Sequence, residues 1–234
     1  QDKPGLQTYE RSAIFLMLKA FYDMIGQDQI QQICVEYSLS HALYIRVKGQ
    51  FQLDEALLEQ VESRMRELVQ KDIPIQKHSI PTDDAVEMFE ARKLHDKAKL
   101  LRCRITSRVN YYSLEDFSDY FYGYMVPDTS YLKCFHLELF DRGLILRLPD
   151  PQAPDRLAVF QPSLKVFRAL DDADQRAKHL NISNVADLNE AICRGDATSI
   201  ILANEAMMEK RIGDMAEAIA QRRDIRFVMI AGPS

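Results

Sequence analysis

LDEALLEQVESRMRELVQKDIPIQKHSIPTDDAVEMF, residues 53–89, changes its hydrophobic period twice. Leu53, Leu57, Val61, Met65 and Leu68 recur at helical spacing and form one apolar stripe. Asp54 and Glu55 stand where negative charge favours a helix start. Pro74 ends that helix, and IQKHSI reads as a short strand. Pro81-Thr82 opens a second helix, with Thr82 expected as N-cap and Asp83 and Asp84 in the first turn. Val86, Phe89 and Leu94 would face inward. Helix, strand and helix follow one another here without the regular alternation of a parallel sheet.

The flanks extend this mixture. Upstream, Ile14, Phe15, Leu18, Phe21 and Tyr22 predict a helix from Tyr9 to about Met24, stopped at Gly26. Residues 30–37 and 42–48 are rich in β-branched and aromatic residues and read as two strands. Downstream, 101–112 reads as a strand, and LKCFHLELFDRGLILRL (132–148) as a hairpin. Its turn is Asp141-Arg142-Gly143, with the glycine free to take positive φ. Three prolines in LPDPQAPD (148–155) mark a domain boundary. Residues 162–222 are mostly helical. Asn204 is the expected cap of a last long helix whose apolar side carries Met207, Met208, Ile212, Met215 and Ile219. RFVMIAGPS (226–234) closes the chain as a short buried strand, 226–231, running into Gly232. The fold class expected is α+β: an antiparallel sheet with packed helices, then a helical connector.

Composition excludes several classes. The 234 residues are 47% hydrophobic and 28% charged, which suits a globular core. A net charge of -5 argues against a general nucleic-acid binder. No apolar run is long enough to span a membrane, and the start is not a signal peptide. Cys34, Cys103, Cys134 and Cys193 are widely spaced and, apart from Cys103, lie in apolar surroundings. They read as reduced buried thiols of a cytoplasmic protein. Cys134 and His136 alternate on one strand face, but two ligands are too few for a structural zinc. Seven aromatics crowd residues 111–124. They could stack on bases, yet without flanking Lys or Arg they read as core. The pairs Asp83-Asp84, Glu115-Asp116 and Asp171-Asp172 read as caps and solvated charges rather than acid–base dyads.

Two stretches resemble the second additional domain of threonyl- and alanyl-tRNA synthetases. One carries Glu62 to Met65, Asp72 to Ile75 and Ala85 to Phe89. The other carries Gly123 to Thr129 and Lys133 to Leu137. The resemblance covers about residues 9–150. In the synthetases this domain hydrolyses mischarged tRNA with metal ligands in an H-x-x-x-H and a C-x-x-x-H pair. Laid on this sequence, those places fall on Arg11 and Phe15, and on Phe121 and Met125. The resemblance then implies a domain that has lost its metal and its editing reaction, so no zinc and no catalytic residue are expected. The order of a synthetase-like domain, helices and FVMIAGPS is in turn similar to the N-terminal part of bacterial uridine kinase-like nucleoside kinases. That resemblance implies residues 1–8 as the tail of a TGS domain, 9–150 as the synthetase-like domain, 151–223 as a helical connector, and 224–234 as the start of a P-loop kinase domain. Gly232, Pro233 and Ser234 would open the ATP phosphate loop. The parent protein would bind ATP or GTP with Mg and a pyrimidine nucleoside, and this truncated chain would be inactive alone. The alternative is a degenerate binding or regulatory module for tRNA, an amino acid or a nucleoside.

Overall fold

The computed structural model describes residues 3–224, 226–230 and 232. The chain divides into two compact units, residues 1–172 and 173–234.

The first unit opens with α1 (Lys3–Ile25) and a hairpin of β1 (Ile30–Leu39) and β2 (Ala42–Gly49). Next come α2 (Glu55–Gln70), β3 (Gln76–Pro81), α3 (Thr82–Ala91) and α4 (His95–Arg102). A second hairpin pairs β4 (Arg108–Leu114) with β5 (Phe117–Asp119), and a third pairs β6 (His136–Phe140) with β7 (Gly143–Arg147). The strands form two antiparallel sheets rather than the one expected, with orders β1-β2-β7-β6 and β3-β4-β5.

Period-two alternation places the core. Leu43 and Ile45 of β2 and Leu144 and Leu146 of β7 face α1 and α2, where they meet Phe15, Leu16, Val61 and Met65. Tyr44 and Ile145 point the opposite way and pack with Leu39 and Phe167. The two central strands, β2 and β7, are therefore buried on both faces over most of their length, which explains their nearly continuous apolar runs. Phe167 lies on α5 (Leu164–His179), so residues 151–172, expected within the connector, pack with the first unit. A third cluster joins Ala85, Phe89, Ala98 and Leu101 of α3 and α4 to Val109 of β4.

Several boundaries differ from the sequence reading. Residues 3–8 are helical rather than linker: Pro4 falls in the first turn of α1, where its missing N–H leaves no hydrogen bond unmade. The strand predicted for 101–112 begins only at Arg108. Ala98 and Leu101, spaced three apart, bury one side of α4 instead. Thr82 is not a cap. It is the first residue of α3, and its hydroxyl donates to the Thr106 carbonyl. Asp54, in contrast, caps α2 by accepting the Leu57 N–H at 2.9 Å.

In the β6–β7 turn the left-handed residue is Asp141 (φ 50). Gly143 serves another need, because a Cβ there would collide with the Ile45 carbonyl of β2.

The second unit contains the end of α5, α6 (Val185–Cys193) and α7 (Ala197–Gln221). Asn184 and Asp187 form a reciprocal capping box on α6. Asn204 lies inside α7 and caps nothing. Met208, Ile212, Met215 and Ile219 of α7 are exposed. Residues 226–230 form no strand. Phe227, Met229 and Ile230 are each at least 90% exposed, and apolar pattern without a pairing neighbour does not make a strand.

Candidate functional site

Arg11 and Phe15 sit one turn apart on α1, and the segment after β5 folds back over them. Phe15 is fully buried. Its ring centroid lies 5.3 Å from that of Phe117 and 5.6 Å, edge-on, from that of Phe121. Met125 packs half-buried against the same cluster. The Arg11 Nε donates to the Tyr124 carbonyl at 3.0 Å, and its Nη2 reaches the Thr8 hydroxyl at 3.4 Å. Gly123 takes φ +104 directly over the guanidinium, where a Cβ would stand 2.8 Å from Arg11 Cζ. A side chain there would be strained and would have to push the Arg11 guanidinium aside. Two hydroxyls anchor the segment: Ser12 accepts the Val126 N–H at 2.9 Å, and Tyr112 donates to the Gly123 carbonyl at 2.5 Å.

Arg11, Phe15, Phe121 and Met125 are thus gathered around one junction between α1 and residues 121–126. Their chemistry is that of a core. Phenylalanine offers no lone pair, a guanidinium is permanently cationic, and a thioether is a weak, soft donor. Among the described residues, no three His, Cys, Asp or Glu side chains are grouped to hold a metal. The aromatic run divides. Tyr112, Phe117 and Phe121 join the core, whereas Tyr122 and Tyr124 are 81% and 72% exposed.

The other sequence candidates scatter. His136 bonds to Glu62 at 2.8 Å, and His78 stacks on Tyr111 and meets the Ser113 hydroxyl at 2.7 Å. Burial would raise the Glu62 carboxyl. The Leu137 N–H, Arg66 and His136 outweigh it and hold the group below its ordinary value. All four cysteines are free thiols. Cys193 is exposed rather than buried, and Cys34 and Cys134 are half-buried. Gly232 is exposed and outside regular structure, while Pro233 and Ser234 lie outside the described residues.

Sequence reasoning missed two buried charges beside this junction. The Lys19 side chain is only 4% exposed, and its Nζ lies 2.6 Å from both Asp23 and Asp116. Burial alone would lower its pKa, but the two carboxylates reverse the direction and raise it. Arg64 holds Asp23 from the other side at 2.9 Å. Asp119, 2% exposed, pairs with Lys97 and accepts the Tyr120 N–H at 2.6 Å. A lysine inside the apolar run AIFLMLKAFY was the available signal for the first. Asp116, read as a solvated charge, is 86% exposed as expected, and it also reaches the buried Lys19.

A cleft of about 850 Å³ opens along the first turns of α1, between Arg66 of α2 and the segment entering β6. Tyr9 builds its inner wall. The Tyr9 hydroxyl donates to the Cys134 carbonyl at 3.0 Å and accepts the Cys134 N–H at 2.9 Å. Burial pushes that hydroxyl up to about 12.

No protein-family model matches the chain. Among curated proteins it is similar to the threonine–tRNA ligase of Syntrophotalea carbinolica (strain DSM 2380), with 31% identity over 136 residues. The match covers 57% of this chain and 21% of that protein. It is also similar to the threonine–tRNA ligase of Francisella tularensis subsp. novicida, with 26% identity over 137 residues, covering 58% and 21%. The chain spans about a fifth of the length of these relatives. More than half of this chain is therefore a threonyl-tRNA synthetase-like domain, built on antiparallel sheets with packed helices.

Proposed function

We propose that the synthetase-like part is a recognition module that has lost metal-dependent editing. The observation that carries this reading is the junction of Arg11, Phe15, Phe121 and Met125. The positions that the resemblance makes metal ligands are occupied by a buried aromatic, a second aromatic, a thioether and a guanidinium tied to the Tyr124 carbonyl. Hydrolysis at a metal needs ligands and an open coordination position, and this packing supplies neither. The module retains clefts on its surface and is suited to bind rather than to cut.

The test is deacylation of a mischarged tRNA by the chain with added zinc. Release at the spontaneous rate is expected, and release clearly above it would overturn the reading.

The same proposal places the module in front of a P-loop nucleoside kinase in a cytoplasmic protein. The parent would transfer the γ-phosphate of ATP or GTP, with Mg, to the 5′-hydroxyl of a pyrimidine nucleoside. What supports this is the sequence order ending in FVMIAGPS, with Gly232, Pro233 and Ser234 as the loop entrance. The encoded sequence after Ser234 decides it: a Gly-Lys-Ser/Thr within about five residues supports the kinase, and its absence removes it. Among the described residues, no helix is long and apolar enough to cross a membrane.

A further inference from the structure

We propose that the cleft between α1, Arg66 and the entry to β6 binds a nucleoside monophosphate, with the phosphate held by Lys133 and Arg66 and the base laid against Tyr131. This rests on the reading of the first unit as a recognition module and names its ligand class.

Size is the first argument. About 850 Å³ lies in the range of small-molecule sites and exceeds what a lone anion needs. Charge is the second. Arg66 and Lys133 line the cleft with one carboxylate, Asp155, while Glu62 pairs with Arg66 from outside the lining, so Lys133 is the uncompensated cation. Arg66 is also fixed in place before any ligand arrives. Its Nη2 donates to Glu62 at 2.5 Å and to the Phe135 carbonyl at 3.2 Å, and its guanidinium lies 4.9 Å from the Phe135 ring centroid. These bonds use Nη2, and among the described residues Nε and Nη1 have no protein acceptor. Lys133 is exposed and has no protein partner among the described residues. Charge-assisted bonds to phosphate oxygens would satisfy both groups.

The third argument is the apolar part. Tyr131 is 58% exposed at the cleft, and Val126, Pro154 and Leu157 line it nearby. An exposed aromatic ring above apolar walls suits the flat face of a base. The rigid Tyr9–Cys134 pairing keeps the inner wall from collapsing.

The test is calorimetric titration of the full chain with AMP and UMP, then with adenosine, uridine and inorganic phosphate. At least one monophosphate should bind, its nucleoside should bind at least about tenfold more weakly, and Lys133→Met and Tyr131→Ala should each weaken binding about tenfold. Both positions are exposed, so the variants keep the fold, which circular dichroism confirms. No binding of either monophosphate at about 1 mM, affinity unchanged in both variants, or phosphate binding as tightly as AMP would each overturn the proposal. The deacylation assay is independent. A chain that hydrolyses tRNA yet binds AMP through Lys133 refutes only the loss of editing. A chain inert toward both tRNA and nucleotides refutes only the nucleotide cleft.

Discussion

Replacing Phe15 with alanine tests whether the junction is packed core or a disguised pocket. The side chain is fully buried and makes two close ring contacts, at 5.3 and 5.6 Å. A phenylalanine buries roughly 200 Å², which at about 25 cal/mol per Å² gives an upper bound of about 5 kcal/mol. Measured truncations of buried phenylalanine cost about 3–5 kcal/mol, so we expect about 4. With a urea slope of about 2 kcal/mol/M, the unfolding midpoint should fall by about 2 M. The chain has no tryptophan, so far-UV circular dichroism is the probe. Phe121→Ala, at a half-buried position, should cost less, and the double variant should reveal a coupling of about 1 kcal/mol from the edge-on pair. If Phe15→Ala fails to fold, Phe15→Leu serves, with an expected loss of about 1–2 kcal/mol. A loss below about 1 kcal/mol for the alanine variant would mean that the ring fills space no better than water does, and the reasoning would fail.

Glu62 should give an acid-dependent contribution. Its folded pKa lies below the ordinary 4.5, so its stabilisation is complete above that value and is lost as pH falls through the lower folded one. Glu62→Gln should therefore be less stable than the parent at neutral pH and equal to it at strongly acid pH; a gap that persists in acid would contradict this. Gly143→Ala should destabilise the hairpin by about 1–3 kcal/mol through collision with the Ile45 carbonyl, read by thermal unfolding. An unchanged midpoint would show that β2 yields freely. Thr129 is fully buried, donates to the Leu68 carbonyl at 2.6 Å and accepts the Ile73 N–H at 2.9 Å. Thr129→Val leaves both groups unpaired and should cost about 2–4 kcal/mol, while Thr129→Ser should cost less; equal losses would point to volume rather than hydrogen bonding.

The sequence made the α1, α2 and β6–β7 elements legible because each carries a clean period facing one core. It failed where tertiary partners decide. The stretch LRCRITSRV has strand composition, yet its first residues complete α4, because Leu101 finds Phe89 and Ala85 across the helix pair. FVMIA has strand composition too, and its described residues stay unpaired. In the site, the four positions Arg11, Phe15, Phe121 and Met125 could be named from a resemblance, but no spacing foretold that they would be packed together. The Lys19 and Asp119 pairs were hidden because their partners lie up to 97 residues away in the chain. Arg66 likewise became notable only once Glu62 and Phe135 were seen to hold it.

The most direct test of the loss of the editing metal is zinc stoichiometry. The chain would be equilibrated with excess zinc, desalted and analysed by mass spectrometry for metal per polypeptide. The account predicts far less than one zinc per chain, because Arg11, Phe15, Phe121 and Met125 offer no ligand set. One tightly held zinc per chain would contradict it and restore a metal-dependent reaction to the synthetase-like domain.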